Sequence, residues 1–322
     1  MIFLYILLFI FSCLVLFWSG AKLVGYLTRM AEYLHWREFV VAFFIMAATC
    51  SIPNLFVGIN SALNGIPQLS FGDIVGGNVV NLTLVVGLAV LASGANMSAG
   101  SKMVQSSVIF VAIIAILPLL LMADGVLGRA DGLILILPFF LYVFWLFSKE
   151  ERFKKVYGNK IYETREFKEG FFGFLKNFGK IIFALLLLLA ASVGIVKSAI
   201  MFSVFFNAPL ALIGILVIGL GDTVPEMYFS IVSAKRKQNW LVLGDLIGSV
   251  IYTSTFVLGI VALIHPIVSS NQNSFFIARI FLMISAVLFL LFTRTEKKIT
   301  IKEALFLIFI YILFLFAEIF FR

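Results

Sequence analysis

Two apolar stretches of this chain are copies of one another at a constant offset of 172 residues. The first runs from Ser51 to Leu91 and contains Ser51-Ile-Pro-Asn54, Phe71-Gly-Asp-Ile-Val-Gly-Gly77 and Asn81. The second runs from Thr223 to Leu263 and contains Thr223-Val-Pro-Glu226, Leu243-Gly-Asp-Leu-Ile-Gly-Ser249 and Thr253. The offset pairs Pro53 with Pro225, Gly72 with Gly244, Asp73 with Asp245, Gly76 with Gly248, Thr83 with Thr255 and Gly87 with Gly259. Apolar segments interrupted by Gly and Pro at matching places in two halves point to the midplane binding site of a secondary transporter. Transport is therefore the leading functional reading.

Composition leaves a soluble fold no room. The chain is 62% hydrophobic and 12% charged, with 37 phenylalanines and a mean hydropathy of +1.13, more apolar surface than one soluble core of 322 residues can hide. The net charge of +8 does not point to nucleic acid, because the basic residues flank apolar spans and report orientation. Cys13 and Cys50 lie inside apolar stretches and supply no disulfide framework. Met1 to Phe17 lacks a basic leader and is followed by further spans, so it reads as a retained first helix.

With about 20 residues needed per crossing, the sequence predicts an all-α polytopic membrane protein of ten transmembrane helices. They fall near 2–24, 38–63, 72–94, 104–123, 131–148, 177–203, 208–234, 241–264, 275–293 and 301–320. The polar stretch from Lys149 to Lys180 separates two groups of five. Residues 1–148 thus form one five-helix repeat, 149–176 an insert and 177–322 a second repeat. An odd number of spans per half makes the repeats inverted. Placing the insert in the cytoplasm puts 20 of the 24 Lys and Arg on that side, all but Arg129, Lys197, Arg279 and Arg322, the asymmetry expected of basic inner loops. Both termini then lie outside. The insert mixes acids, bases and aromatics without calcium-loop spacing, so it reads as a linker with a short interfacial helix. The compact size and absence of targeting signals favour a prokaryotic plasma membrane.

Polar groups inside the spans carry the chemistry, since a charge at a helix centre costs at least ~2.5–3.5 kcal/mol in the bilayer. Asp222 and Glu226 are one helical turn apart on one face. Pro225 between them removes a backbone N–H and frees carbonyls near Gly221 and Asp222. The competing reading is a proline kink whose acids snorkel or pair with Lys197. Asp245, Ser249 and Thr253 recur at intervals of four, matched by Asp73, Gly77 and Asn81. Glycines 72, 76, 244 and 248 suit close helix approach. Asp73 and Asp245 sit near the expected span ends, which suggests helix-start capping or gating in contact with water. Asn81, Ser249 and Thr253 lie deeper and offer oxygens suited to hard cations. Ser51 and Asn54 flank Pro53 as counterparts of Thr223 and Glu226. The candidate cation ligands are therefore Glu226, Asp222, Asn54, Ser51, Asn81, Ser249, Thr223 and Thr253.

On these residues the chain resembles the sodium/calcium exchangers and the wider cation/calcium antiporter superfamily. Their repeats carry a Gly-Thr-Ser-Leu-Pro-Glu type segment followed by a Gly-Asn/Asp-x-x-Gly-Ser-Asn type segment. Here Thr49-Cys-Ser-Ile-Pro-Asn54 and Gly221-Asp-Thr-Val-Pro-Glu226 match the first, and Gly72-Asp-Ile-Val-Gly-Gly-Asn78 and Gly244-Asp-Leu-Ile-Gly-Ser-Val250 the second. The resemblance implies a gradient of sodium or protons driving a cation such as calcium outward, with no tightly bound cofactor. It also implies that the first and sixth helices slide across a core formed by the others.

The departures are informative. Asn54 stands where the family has a glutamate, Gly77 where it has a serine, and Thr253 where an acid or Asn is usual; Asp222 is an acid where Thr is usual. Central charge then comes from Asp222 and Glu226 alone, both from the second repeat, which places the ion off the symmetry axis. Losing a bidentate ligand at Asn54 predicts weaker calcium binding or a changed coupling ion, and Asn54→Glu is expected to strengthen calcium selectivity. Two acids one turn apart titrate together, which opens proton coupling. An alternative reading, an intramembrane aspartyl protease, rests on Gly219-Leu-Gly-Asp222 alone. Another is a non-transporting scaffold with a degraded first repeat. His35 and His265 show no metal-hydrolase spacing. The tract from Phe314 to Phe321 reads as lipid-facing, with Glu318 near water at its outer end.

Overall fold

The computed structural model describes residues 2–33, 38–148, 171–268 and 275–320. In the first half the helices are α1 (Ile2–Tyr33), α2 (Glu38–Leu63), α3 (Pro67–Val80), α4 (Val86–Ser93), α5 (Lys102–Leu121) and α6 (Arg129–Ser148). In the second they are α7 (Phe171–Phe205), α8 (Leu210–Ile213), α9 (Gly219–Gly221), α10 (Val224–Lys235), α11 (Asn239–Tyr252), α12 (Leu258–Ile264), α13 (Phe276–Arg294) and α14 (Ile301–Phe320). A π-helical turn, Asn81–Val85, joins α3 to α4, and another, Thr253–Val257, joins α11 to α12. Among the described residues, eight continuous segments are long and apolar enough to cross a membrane. Residues 38–63 and 129–148 are helical as expected but fall outside that set.

The duplication in sequence is a duplication in backbone. Pro67–Val80 and Asn239–Tyr252, and likewise the two π turns, stand 172 residues apart residue for residue. Each π turn carries a threonine, Thr83 or Thr255, whose hydroxyl donates back to the carbonyl of Val79 or Ile251. Such back-bonding and the wider turn both re-aim side chains within a helix.

Pairing between strands follows the repeat. Strand β1 (Met97–Ser98) pairs with β4 (Lys298–Ile299), and β2 (Val126–Leu127) with β3 (Ile267–Val268), both antiparallel. The repeat offset carries β2 onto β4 and, within two residues, β1 onto β3, so one ribbon is the image of the other. The two halves also exchange packing. A Cβ on Gly87 would meet the Ala304 carbonyl oxygen at 2.9 Å and one on Gly259 the Gly132 oxygen at 2.8 Å; Gly132 and Ala304 are themselves 172 apart. Glycine at these positions lets α4 approach α14 and α12 approach α6.

Packing divides into two apolar clusters. The larger joins α3 to α6 with α11 to α14. The smaller binds α1 to α7 through Leu16, Ile181, Leu188, Ile195 and Val196 and meets the rest at Val57, Leu69, Ile213 and Ile218. Phe9 and Phe202 stack edge to face at 5.6 Å within it.

Several sequence expectations shift. The helix expected from 177 begins at Phe171, so the last residues of the 149–176 insert belong to α7; residues 149–170 lie outside the described residues. The helix expected from 72 begins at Pro67, whose fixed φ suits a first helical turn. Glu318 is buried, 1% exposed, rather than near water, and Phe314 is buried while Phe316 and Phe320 remain exposed. Helical periodicity turns 314 and 318 inward together.

Candidate cation site

The second-repeat helix is interrupted at the motif. Residues 210–221 form α8, a π turn (Gly214–Ile218) and α9, and α10 starts only at Val224. Pro225 cannot donate to the Gly221 carbonyl, the i−4 acceptor, and the next bonds run from Asp222 N to Ile218 O and from Met227 N to Thr223 O. In the first repeat, Pro53 sits inside a continuous α2.

Close packing beneath this break holds α3 in place. A Cβ on Gly72 or Gly76 would run into the carbonyl oxygens of Ala211 and Ile215, and one on Gly219 would lie 2.7 Å from Gly77 N. Backbone-to-backbone contact of that kind admits only glycine. It brings Asp73, Gly77 and Asn81 under the broken helix.

Two chains of polar groups cross between the halves. In the first, the Ser51 hydroxyl lies 3.1 Å from that of Ser249, which donates to Glu226 Oε1 at 3.4 Å. With the Ser249 proton directed at Glu226, Ser51 is the donor to Ser249. Ser51, Ser249 and Glu226 are at most 1% exposed, and Glu226 Oε2 has no hydrogen-bond partner. In the second, Asn54 Nδ2 donates to Asp222 Oδ2 at 2.6 Å, and the Asp73 carboxyl adjoins that of Asp222. Asp245 and Asp73 both lie close enough to act electrostatically on Glu226.

Of the eight predicted ligands, the structure joins Ser51, Ser249 and Glu226 in one chain and Asn54 and Asp222 in the other. Asn81 is buried with its Oδ1 unpartnered. The two threonines are engaged elsewhere. Thr223 donates to the carbonyls of Gly219 and Leu220, both at 3.0 Å. Thr253 donates to the Ser249 carbonyl at 2.9 Å and lies 3.1 Å from Asn78 Oδ1, while Asn78 donates to Ser254 at 2.8 Å. These bonds tie α11 to α3 beside the site.

Asp73 and Asp245 correct the sequence reading. Neither caps a helix: α3 and α11 begin at Pro67 and Asn239 without side-chain caps, and both acids lie seven residues in, 0% and 1% exposed. A helix start placed at 72 hid this, although Ser70, before it, is fully buried. Central acidity is therefore not confined to Asp222 and Glu226, and Asp73 brings a first-repeat carboxyl to the site. The signal available was the identity of the two copies at this position. The competing Lys197 reading also fails: Lys197 is exposed, and among the described residues no basic side chain pairs with Asp73, Asp222 or Glu226. Nor, among them, do three His, Cys, Asp or Glu side chains converge as a ready metal cage. A cation here must draw on hydroxyl, amide and backbone oxygens as well as carboxylates.

Known proteins share this architecture. The model of the sodium/calcium exchanger protein family matches residues 4–148 and 176–320. The sodium/calcium exchanger MaX1 of Methanosarcina acetivorans is 25% identical over 320 residues, covering 89% of this chain and 91% of its own length. The inner membrane protein YrbG of Escherichia coli is 24% identical over 265 residues, with 80% and 79% covered. Among solved structures, the sodium-calcium exchanger NCX_Mj superposes with a TM-score of 0.64 at 22% identity, covering 100% of both chains, a likeness of fold. By the extent of the family match, this integral membrane protein belongs to the sodium/calcium exchanger protein family.

Proposed function

We propose that this chain is a secondary-active cation antiporter moving calcium or a related hard cation against sodium or protons, by alternating access at the buried site around Glu226. One observation carries the reading: oxygen-bearing side chains from the two halves of the chain meet at an acid that is 1% exposed and has no basic partner among the described residues. Such an acid is costly in a membrane unless a transported cation or proton compensates it. The separate apolar cluster of α1 and α7 supports these two helices as the sliding element. Bacterial and archaeal relatives support a prokaryotic membrane, and the bias of Lys and Arg supports both termini outside with the 149–176 insert cytoplasmic.

The protease reading loses ground because an inverted duplication serves no purpose in a hydrolase. The scaffold reading gives no reason to retain an uncompensated buried glutamate. The test is isotope flux in proteoliposomes with calcium, sodium and potassium under imposed sodium and pH gradients. Gradient-driven calcium movement in the wild type, abolished by Glu226→Gln, is expected. Wild-type flux persisting in Glu226→Gln refutes the reading, and calcium uptake indifferent to a pH gradient removes protons as the driving ion.

A further inference from the structure

The two halves do not contribute equivalent sites. At the offset of 172, Ser51 corresponds to Thr223, Ser249 to Gly77 and Glu226 to Asn54. The image of the Glu226 chain has thus lost its carboxylate and one hydroxyl. Its remaining hydroxyl, on Thr223, is turned to backbone carbonyls, and a Cβ on Gly77 would face the Thr223 methyl at 3.4 Å. Charge returns to this half of the site from a different register. Asp222, one residue before Thr223, adjoins Asp73 and receives the Asn54 amide.

The result is a group of acceptors without donors. Both oxygens of Asp73, Asp222 Oδ1 and Asn54 Oδ1 lack hydrogen-bond partners, with Asp73 0% and Asn54 6% exposed. Two adjoining carboxyls buried with no described base beside them must share a proton or hold a cation, and a bound cation lets both ionise. Asp222 itself is only partly buried, which leaves a side of entry. Divalent affinity rises with the number of charged ligands. By that rule the arm with two carboxylates suits a divalent ion, and the arm holding Glu226 suits a monovalent one.

We propose that Asp73, Asp222 and the Asn54 carbonyl oxygen form a second cation position that takes the divalent ion, while the Ser51–Ser249–Glu226 chain takes the monovalent ion. This assignment rests on the antiporter reading above and adds the location of each ion. The short break between Gly221 and Val224 links the two positions, because Asp222 lies within it and Glu226 in the first turn after it.

The test is equilibrium binding of radiolabelled calcium and, separately, sodium to purified protein, with Asp73→Asn, Asp222→Asn and Glu226→Gln compared with wild type. The two aspartate variants are expected to weaken calcium binding by roughly tenfold or more and leave sodium binding within about threefold. Glu226→Gln is expected to do the reverse. Calcium binding unchanged in the aspartate variants, lost only in Glu226→Gln, or absent from the wild type overturns the assignment. If Asp73→Asn does not elute as a folded species, Asp222→Asn at the more exposed position decides. Failure here is distinguishable from failure of the antiporter reading, which requires only that Glu226→Gln abolish flux.

Discussion

Replacing Asn54 by the glutamate that the exchanger pattern carries at this position is the most revealing single change. On sequence alone it strengthens a calcium site. In the structure Asn54 Nδ2 donates to Asp222 Oδ2 at 2.6 Å, so Asn54→Glu removes a hydrogen bond to a charged group, worth about 1.5–3 kcal/mol. It also sets a carboxylate against Asp222. At ~4 Å and an effective dielectric of ~20, that repulsion is about 4 kcal/mol. The single variant is therefore expected to unfold at lower temperature than wild type in divalent-free detergent and to regain more stability than wild type on adding calcium. Asn54→Glu combined with Asp222→Thr relieves the repulsion and is expected to restore stability and calcium exchange together. Thermal unfolding with and without calcium, with liposome flux, reads both effects. A single variant as stable as wild type without calcium, with the double variant no better, refutes the reasoning.

Ser249→Ala removes the hydroxyl bonded to both Ser51 and Glu226; cation affinity is expected to fall about tenfold, a loss of about 1.4 kcal/mol, in equilibrium binding, and Ser51→Ala to cost less because its contact runs through Ser249. Gly76→Ala drives a methyl into the Ile215 carbonyl, so loss of the monodisperse peak on size exclusion is expected. Gly77→Ala, one residue along, meets the Thr223 methyl at 3.4 Å and the Gly219 carbonyl oxygen at 3.5 Å, ordinary contact distances, and is expected to fold and transport; equal behaviour of the two variants would contradict the packing described.

Much of the fold was written in the order of residues. Apolar length set the helices, since a backbone in lipid must satisfy its own hydrogen bonds. The 172-residue offset set the inversion, and it extends in the structure to the β ribbons and to Gly132 and Ala304, which no motif marked. Ser51, Asn54, Asp222, Glu226 and Ser249 were legible because polar atoms in an apolar run need partners or ligands. Which of them face each other was not legible. That choice depends on how closely α3 approaches the segment 210–221, a distance set by backbone contacts at Gly72, Gly76 and Gly219. The same contacts, with helix starts earlier than the apolar run suggested, carried Asp73 from an apparent helix end to full burial beside Asp222. Sequence by itself determined the inventory of oxygens and the symmetry relating them. Only tertiary packing decided that they divide into two unequal arms, because separation across helices is governed by interhelical approach and not by spacing along the chain.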